Sequence, residues 1–196
     1  SHDVLGTYQL VSNRREMQIV PHSKENFVEI LQYRHKILLA AREDKKPGKF
    51  KDENNRAGNS YFVDKELVLG TLYKSFDYYK ALKSPFAKAA YIMFVVSEVH
   101  PFLDGNGRIS RVMMNAELTT AKQTKIIIPT VYREDYLGAL HRLTRVKEPT
   151  VFIRMLNRAQ TFSHTLNGND MEGMETTLEK SGAFKESNEG VLKIIK

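Results

Sequence analysis

Thirteen consecutive residues, VHPFLDGNGRISR from Val99 to Arg111, set a histidine, a carboxylate, two glycines around an asparagine, and two arginines side by side. Glycines at 105 and 107 let a backbone approach a ligand and turn successive N–H groups into one concavity, to which a helix starting there adds its N-terminal dipole. Arg108 and Arg111 are three apart, so both can project from the first turns of that helix toward one anion. Polyphosphate is the natural guest. Asp104, just ahead of the nest, would be repelled by phosphate unless a divalent cation stood between them, and Mg2+ is commonly held by one or two carboxylates plus phosphates. His100 is the one side chain of the stretch whose ordinary pKa, about 6.5, lets it take a proton near neutral pH. Nest, metal carboxylate and base together describe a nucleotide-dependent transferase.

Competing readings of DGNGRISR fare less well. A dinucleotide-binding turn lacks its third glycine, because Ser110 stands there, and no acid follows about twenty residues on. A Walker loop needs a glycine-lysine-Ser/Thr ending. A calcium loop starting at Asp104 would carry Arg108 where an oxygen ligand belongs. The bland alternative is a helix-loop-helix connector that uses glycine for tight geometry. That connector has no need of the paired arginines.

The elements around the stretch are helical. Ser84-Pro85 is a capped start with proline at the first helical position, and FAKAAYIMFVVSEV after it is apolar nearly all round, as a buried central helix would be. His100-Pro101 ends that helix, since proline restrains the residue before it from helical geometry. RISRVMMNAELTTAK restarts one, with Ile109, Met113, Met114 and Leu118 on its apolar face. Further helices are expected over 23–43 behind a Ser23 cap, after Asp64, near 133–146 and 150–163, and over 171–181 ending near Gly182. Residues 44–60 read as loop, and Ser60, Tyr61, Phe62 and Val63 as a strand or hairpin arm. The expected fold class is all-α with one small β element.

Composition narrows the context. The chain of 196 residues carries a formal charge of +7, and six acids against four lysines after residue 162 leave that tail at −2 and the rest at +9. Basic excess suits an anionic partner. Without cysteine there are neither disulfides nor thiolate chemistry, and the longest apolar run, AAYIMFVV, is far short of the roughly 20 residues that span a bilayer. A cytoplasmic location is expected, with a secreted effector as the alternative, and no membrane partner.

HPFLDGNGRISR resembles the Fic (Fic/Doc) family motif, His-x-Phe-x-(Asp/Glu)-Gly-Asn-Gly-(Arg/Lys)-x-x-Arg. His100, Phe102, Asp104, Gly105, Asn106, Gly107, Arg108 and Arg111 fill all eight of its fixed positions. The resemblance covers roughly residues 25–165. PGKFK and the extended piece before Asp64 look like the region leading into that family's flap hairpin. It implies an all-α core around a helix-loop-helix and transfer of AMP from ATP, with Mg2+, to a Ser, Thr or Tyr hydroxyl of a target protein, which could be the chain itself. It makes His100 the base, Phe102 the apolar anchor of the loop, and Asp104 the Mg2+ ligand. Gly105, Asn106 and Gly107 become the anion hole, and Arg108 and Arg111 the phosphate ligands. Ser60 to Val63 become the flap that aligns a target segment by strand addition. The alternative is a module that keeps the motif and binds nucleotide or nucleic acid without catalysis, although nucleic acid is not the expected partner. Phosphoryl transfer, as in the Doc branch, is disfavoured because that branch alters the anion site where this chain has Gly105 and Gly107.

Many family members are silenced by a short helix, (Ser/Thr)-x-x-x-Glu-(Gly/Asn), whose Glu pairs with the second motif arginine. Two segments match in part: SNRREM offers Ser12 and Glu16 with Met17 at the last position, and KESNEG offers Glu189-Gly190 with Lys185 in the hydroxyl position. Glu189 is the candidate inhibitory residue. His35 and His141 are read as surface or packing residues. The expected organisation is a lead-in over 1–22, a catalytic domain over 23–165, and a C-terminal helix and tail over 166–196.

Overall fold

A computed structural model describes residues 2–195 and divides the chain into two compact units, Ser1–Gln123 and Thr124–Lys196. In the first unit, helices α1 (His2–Ser12), α2 (Lys24–Leu38), α3 (Val68–Ala81), α4 (Pro85–Val99) and α5 (Asn106–Thr120) enclose one apolar core. Its only sheet among the described residues is a hairpin of β1 (Arg56–Ala57) and β2 (Ser60–Tyr61), which pairs Arg56 with Tyr61 and Ala57 with Ser60. The second unit holds α6 (Arg133–Val146), α7 (Thr150–His164) and α8 (Met171–Ser181), with α6 packed on α7. The division at 123/124 falls inside the span 23–165 that the sequence reading treats as one domain. No described helix is long and apolar enough to cross a membrane.

Helix α4 is the floor of the first unit. Ser84 caps it by accepting the Ala87 N–H at 3.3 Å, Pro85 occupies its first position, and Ala89, Ile92, Met93, Val95, Val96 and Val99 are all buried. α5 packs along it, burying Ile109, Val112, Met113 and Met114. The two are joined by only six residues, so everything in the connecting loop is held against a rigid pair of helices.

The segment before α2 packs on it through α1. α1 lies on α2 so closely that a Cβ on Gly6 would sit 2.5 Å from the Leu38 carbonyl oxygen, which only glycine tolerates. Behind it Arg34 is wholly buried: its Nε donates to the Glu16 carboxylate at 2.8 Å, and Nη2 donates to the carbonyls of Glu16 (2.9 Å) and Ile19 (2.7 Å). Nη1 lies 3.3 Å from the Met113 sulfur on α5. One guanidinium thus ties the turn after α1 to α2 and α5.

Candidate active site

α4 ends because Pro101 keeps His100 out of right-handed helical geometry. The structure adds the direction of the turn: His100 adopts the left-handed conformation, φ 51° and ψ 57°. Its ring Nδ1 lies 3.1 Å from the Ser97 carbonyl oxygen. A carbonyl only accepts, so Nδ1 carries the hydrogen and Nε2 of the neutral ring presents the lone pair. Burial, foremost, and the positive charge of Lys51 hold the imidazole pKa below its ordinary 6.5, against the opposing pull of the Ser97 carbonyl and Asp104.

The loop that follows is braced from both sides. Phe102 is completely buried, stacked on the His35 ring with centroids 3.6 Å apart, and near Phe50 at 5.4 Å. Asn106 closes the loop on itself, accepting the Phe102 N–H at 2.9 Å and donating to the Phe102 carbonyl at 2.8 Å. Its amide is therefore committed to the loop, and what Asn106 can offer an anion is its backbone N–H. Gly105, at φ 78°, caps α5 in the left-handed region, with Leu39 Cδ1 only 3.2 Å from where a Cβ would stand. Gly107 has no such constraint: its nearest neighbour would be Arg111 Nη1 at 3.5 Å.

Gly105→Ala is accordingly expected to lose about 1–2 kcal/mol through the left-handed backbone alone, lowering the melting temperature by roughly 2–8 °C. Gly107→Ala, inside a helical turn, should match or exceed the parent. Equal melting temperatures for Gly105→Ala and the parent would contradict the assigned loop geometry.

His100, Asp104, Gly105, Asn106, Gly107, Arg108 and Arg111 line one open cavity of about 270 Å³ together with Leu103. The start of α5 points its N–H groups at this space, and both arginines flank it. Asp104, 40% exposed at its side chain, accepts its neighbour Gly105 N–H at 2.6 Å and lies 3.6 Å from Arg108 Nη2. Among the described residues no cluster of three or more His, Asp or Glu side chains could cage a metal. A single hard, solvent-reachable carboxylate at the rim of a phosphate-sized cavity does fit Mg2+, which keeps several waters and takes its remaining oxygens from phosphate.

The flap residues separate. Ser60 and Tyr61 form β2, with Tyr61 77% exposed, while Val63 packs against the core. Phe62 leaves the strand and stacks on His100 with centroids 3.7 Å apart and planes 4° from parallel. The sequence alone reads all four residues together as a strand or hairpin arm.

His35 carries more than packing. Its Nδ1 accepts the Gly48 N–H at 2.9 Å, so Nε2 bears the hydrogen and donates to the Asp104 carbonyl at 2.9 Å. Burial, as the largest cause, lowers its pKa and keeps it neutral in this role. It locks α2, the turn at Gly48 and the motif loop together. Its bonding partners stand 13 and 69 residues away, so no local pattern betrays it.

The Ser12–Glu16 segment is not a partner for Arg111, because the Glu16 carboxylate belongs to the buried Arg34. Glu189, in the second unit, has one carboxylate oxygen 3.2 Å from the Glu186 N–H, a local turn contact. His141 lies on the exposed side of α6.

A sequence profile described as the Fic/DOC family matches residues 27–118. A Fido domain-containing protein of Dictyostelium discoideum is 37% identical over 76 residues, covering 36% of this chain and 53% of its own. A protein adenylyltransferase of Caenorhabditis briggsae is 26% identical over 156 residues, covering 74% of this chain and 31% of its own. The chain therefore spans about half of the first relative and less than a third of the second. Among solved structures, a Fic domain containing signaling protein from Bacteroides thetaiotaomicron superposes with a TM-score of 0.66 at 18% identity, over 84% of this chain and 69% of that one.

Proposed function

We propose, from the match of residues 27–118 to the Fic/DOC family profile, that this chain is a protein adenylyltransferase that moves AMP from ATP to a Ser, Thr or Tyr hydroxyl of a target protein. The observation that supports this best is the juxtaposition in one cavity of a neutral imidazole with its Nε2 lone pair available and a glycine-rich helix start flanked by Arg108 and Arg111. Relatives of the same family named protein adenylyltransferases agree with it.

In this reading the triphosphate lies against the N–H groups of Gly105, Asn106 and Gly107, with Arg108 and Arg111 balancing its charge. Asp104 would hold Mg2+, which, when bound, neutralises phosphate charge. His100 Nε2 removes the hydroxyl proton as the oxygen attacks the α-phosphorus. The bond from that phosphorus to the bridging oxygen of the β-phosphate breaks, and pyrophosphate departs with the electron pair. The exposed edges of the β1–β2 hairpin give a target segment a place to add as a strand, through backbone hydrogen bonds that demand little sequence.

Incubation with ATP, Mg2+ and a cell lysate, followed by mass spectrometry, should find adenylylated hydroxyl side chains. ATP binding without any such adduct would argue for a nucleotide-binding module instead. Because the imidazole pKa is lowered, the base stays unprotonated further into acid, so the acid limb of kcat/KM should have its midpoint below pH 6.5. A midpoint above that value would remove the buried His100 from the role of base.

A further inference from the structure

Two side chains between α2 and the flap touch neither phosphate nor hydroxyl in the reading above, yet they surround the base. Lys51 is only 4% exposed. Its Nζ donates to Asn55 Oδ1 at 2.7 Å and to the Val99 carbonyl at 3.4 Å, and its backbone N–H donates to the Pro101 carbonyl at 2.8 Å. Asn55 Nδ2 donates to the carbonyls of His100 at 3.3 Å and Phe102 at 3.0 Å. Four successive carbonyls, 99 to 102, thus each meet a donor from residue 51 or 55. A helix end normally leaves such groups to water or to caps, and a buried one needs a partner. Here the partners come from a segment about 45 residues earlier.

Asn55 is also where the flap begins. β1 starts at the next residue, the Phe62 N–H points at the Asn55 carbonyl at 3.5 Å, and the Phe62 ring stacks on His100. The base is therefore held twice by the same hairpin, through its backbone by Asn55 and through its ring by Phe62.

We propose that Asn55, held in place by Lys51, is a positioning residue that couples the flap to the base, so that a target strand docked on the hairpin also sets His100 for proton transfer. This rests on the adenylyl-transfer reading of the site. Losing the clamp lets the 99–102 turn relax and displaces Nε2 from the hydroxyl, while the phosphate nest, braced by His35 and Asn106, stays intact.

Asn55→Asp tests this, since it keeps the shape of the side chain and its contact with Lys51 but turns two donors into acceptors facing carbonyls. It should lower kcat by about 10²-fold, the size of effect a displacement of roughly 1 Å produces. ATP affinity should stay within about twofold of the parent. Amide hydrogen exchange should quicken at residues 100, 102 and 103 and not within α4. Lys51→Met should behave like Asn55→Asp, and Lys51→Arg should recover most of the rate. Unchanged kcat in Asn55→Asp overturns the proposal, as does a parallel fall in kcat, ATP affinity and melting temperature, which would mark the pair as general scaffolding. Should the parent transfer no AMP, the functional reading fails separately and exchange decides: faster exchange confined to the 100–103 turn supports the clamp, and unaltered exchange rejects it.

Discussion

His100→Ala is expected to cut AMP transfer by about 10²- to 10⁴-fold, the range that a general base contributes when the nucleophile is an unactivated hydroxyl. ATP binding should survive, because the nest does not depend on this ring. Gly105 is fixed by its own φ and by the Asp104 carboxylate, Asn106 by Phe102, and the Asp104 carbonyl by His35. Stability should change little. The ring's contacts are a carbonyl within its own last turn and the stacked Phe62, and alanine meets much the same left-handed strain at φ 51° as histidine does. A loss of about 1 kcal/mol, or roughly 2–4 °C, is the expected scale for one aromatic contact. Titration calorimetry, thermal melting and a transfer assay on this variant separate base from scaffold. Wild-type transfer with intact ATP binding would remove His100 from catalysis, and collapse of all three quantities would make it structural.

The largest stability effect is expected at Glu16. Removing its carboxylate takes the direct ion-pair partner from the guanidinium of Arg34, which is 0% exposed and keeps the carbonyls of Glu16 and Ile19, the Met113 sulfur and the more distant charge of Glu117. Breaking a buried pair from one side costs on the order of 3–5 kcal/mol, and because the Glu16 side chain is 11% exposed the lower end applies. Glu16→Ala should therefore melt roughly 6–12 °C below the parent. Glu16→Gln, whose amide oxygen can still accept from Arg34 Nε, should lose less. Neither variant should transfer faster. That separates the structural assignment from the partial inhibitory pattern at Ser12–Glu16, for which Glu16→Ala would release activity.

Where local chemistry decides structure, the chain is readable. Ser84-Pro85 announces the start of α4, His100-Pro101 its end, and the expected helices near 133–146 and 150–163 correspond to α6 and α7. The eight motif positions carry the resemblance to the Fic/DOC family, whose profile matches residues 27–118, and the helical periodicity around them carries the all-α class. α1 escapes because most of it faces outward: Val4, Leu5 and Tyr8 are more than half exposed and Leu10 is its most buried apolar residue, so the periodic stripe that marks an amphipathic helix is too narrow to see. Its determinant is Gly6, and a glycine that permits close packing looks, in sequence, like a glycine that breaks a helix. Asp64 reads as a helix cap, yet its carboxylate accepts from Asn54 Nδ2 and a short 3-10 turn precedes α3.

The bracing of the site is invisible for a different reason. Arg34, His35, Lys51 and Asn55 find their partners 18, 69, 48 and 45 to 47 residues away. Each has an ordinary polar residue's neighbours in sequence, and only the closing of α2 and the 48–55 segment over the α4–α5 turn gives it a task. The same holds for Phe62, whose place over His100 depends on the hairpin turning out of register after Tyr61.

Which phosphate stays on the protein distinguishes the chemistry. The purified chain, with Mg2+ and a lysate, is given ATP labelled at the α-phosphate in one reaction and at the γ-phosphate in another, and denatured protein is counted for covalent label. Attack at the α-phosphorus with loss of pyrophosphate keeps the α label and discards the γ label, and His100→Ala should remove the retained α label. Retention of the γ label beyond what the lysate alone retains would instead mean phosphoryl transfer by the chain, and retention of neither label beyond that background under conditions where ATP is bound would contradict transfer altogether.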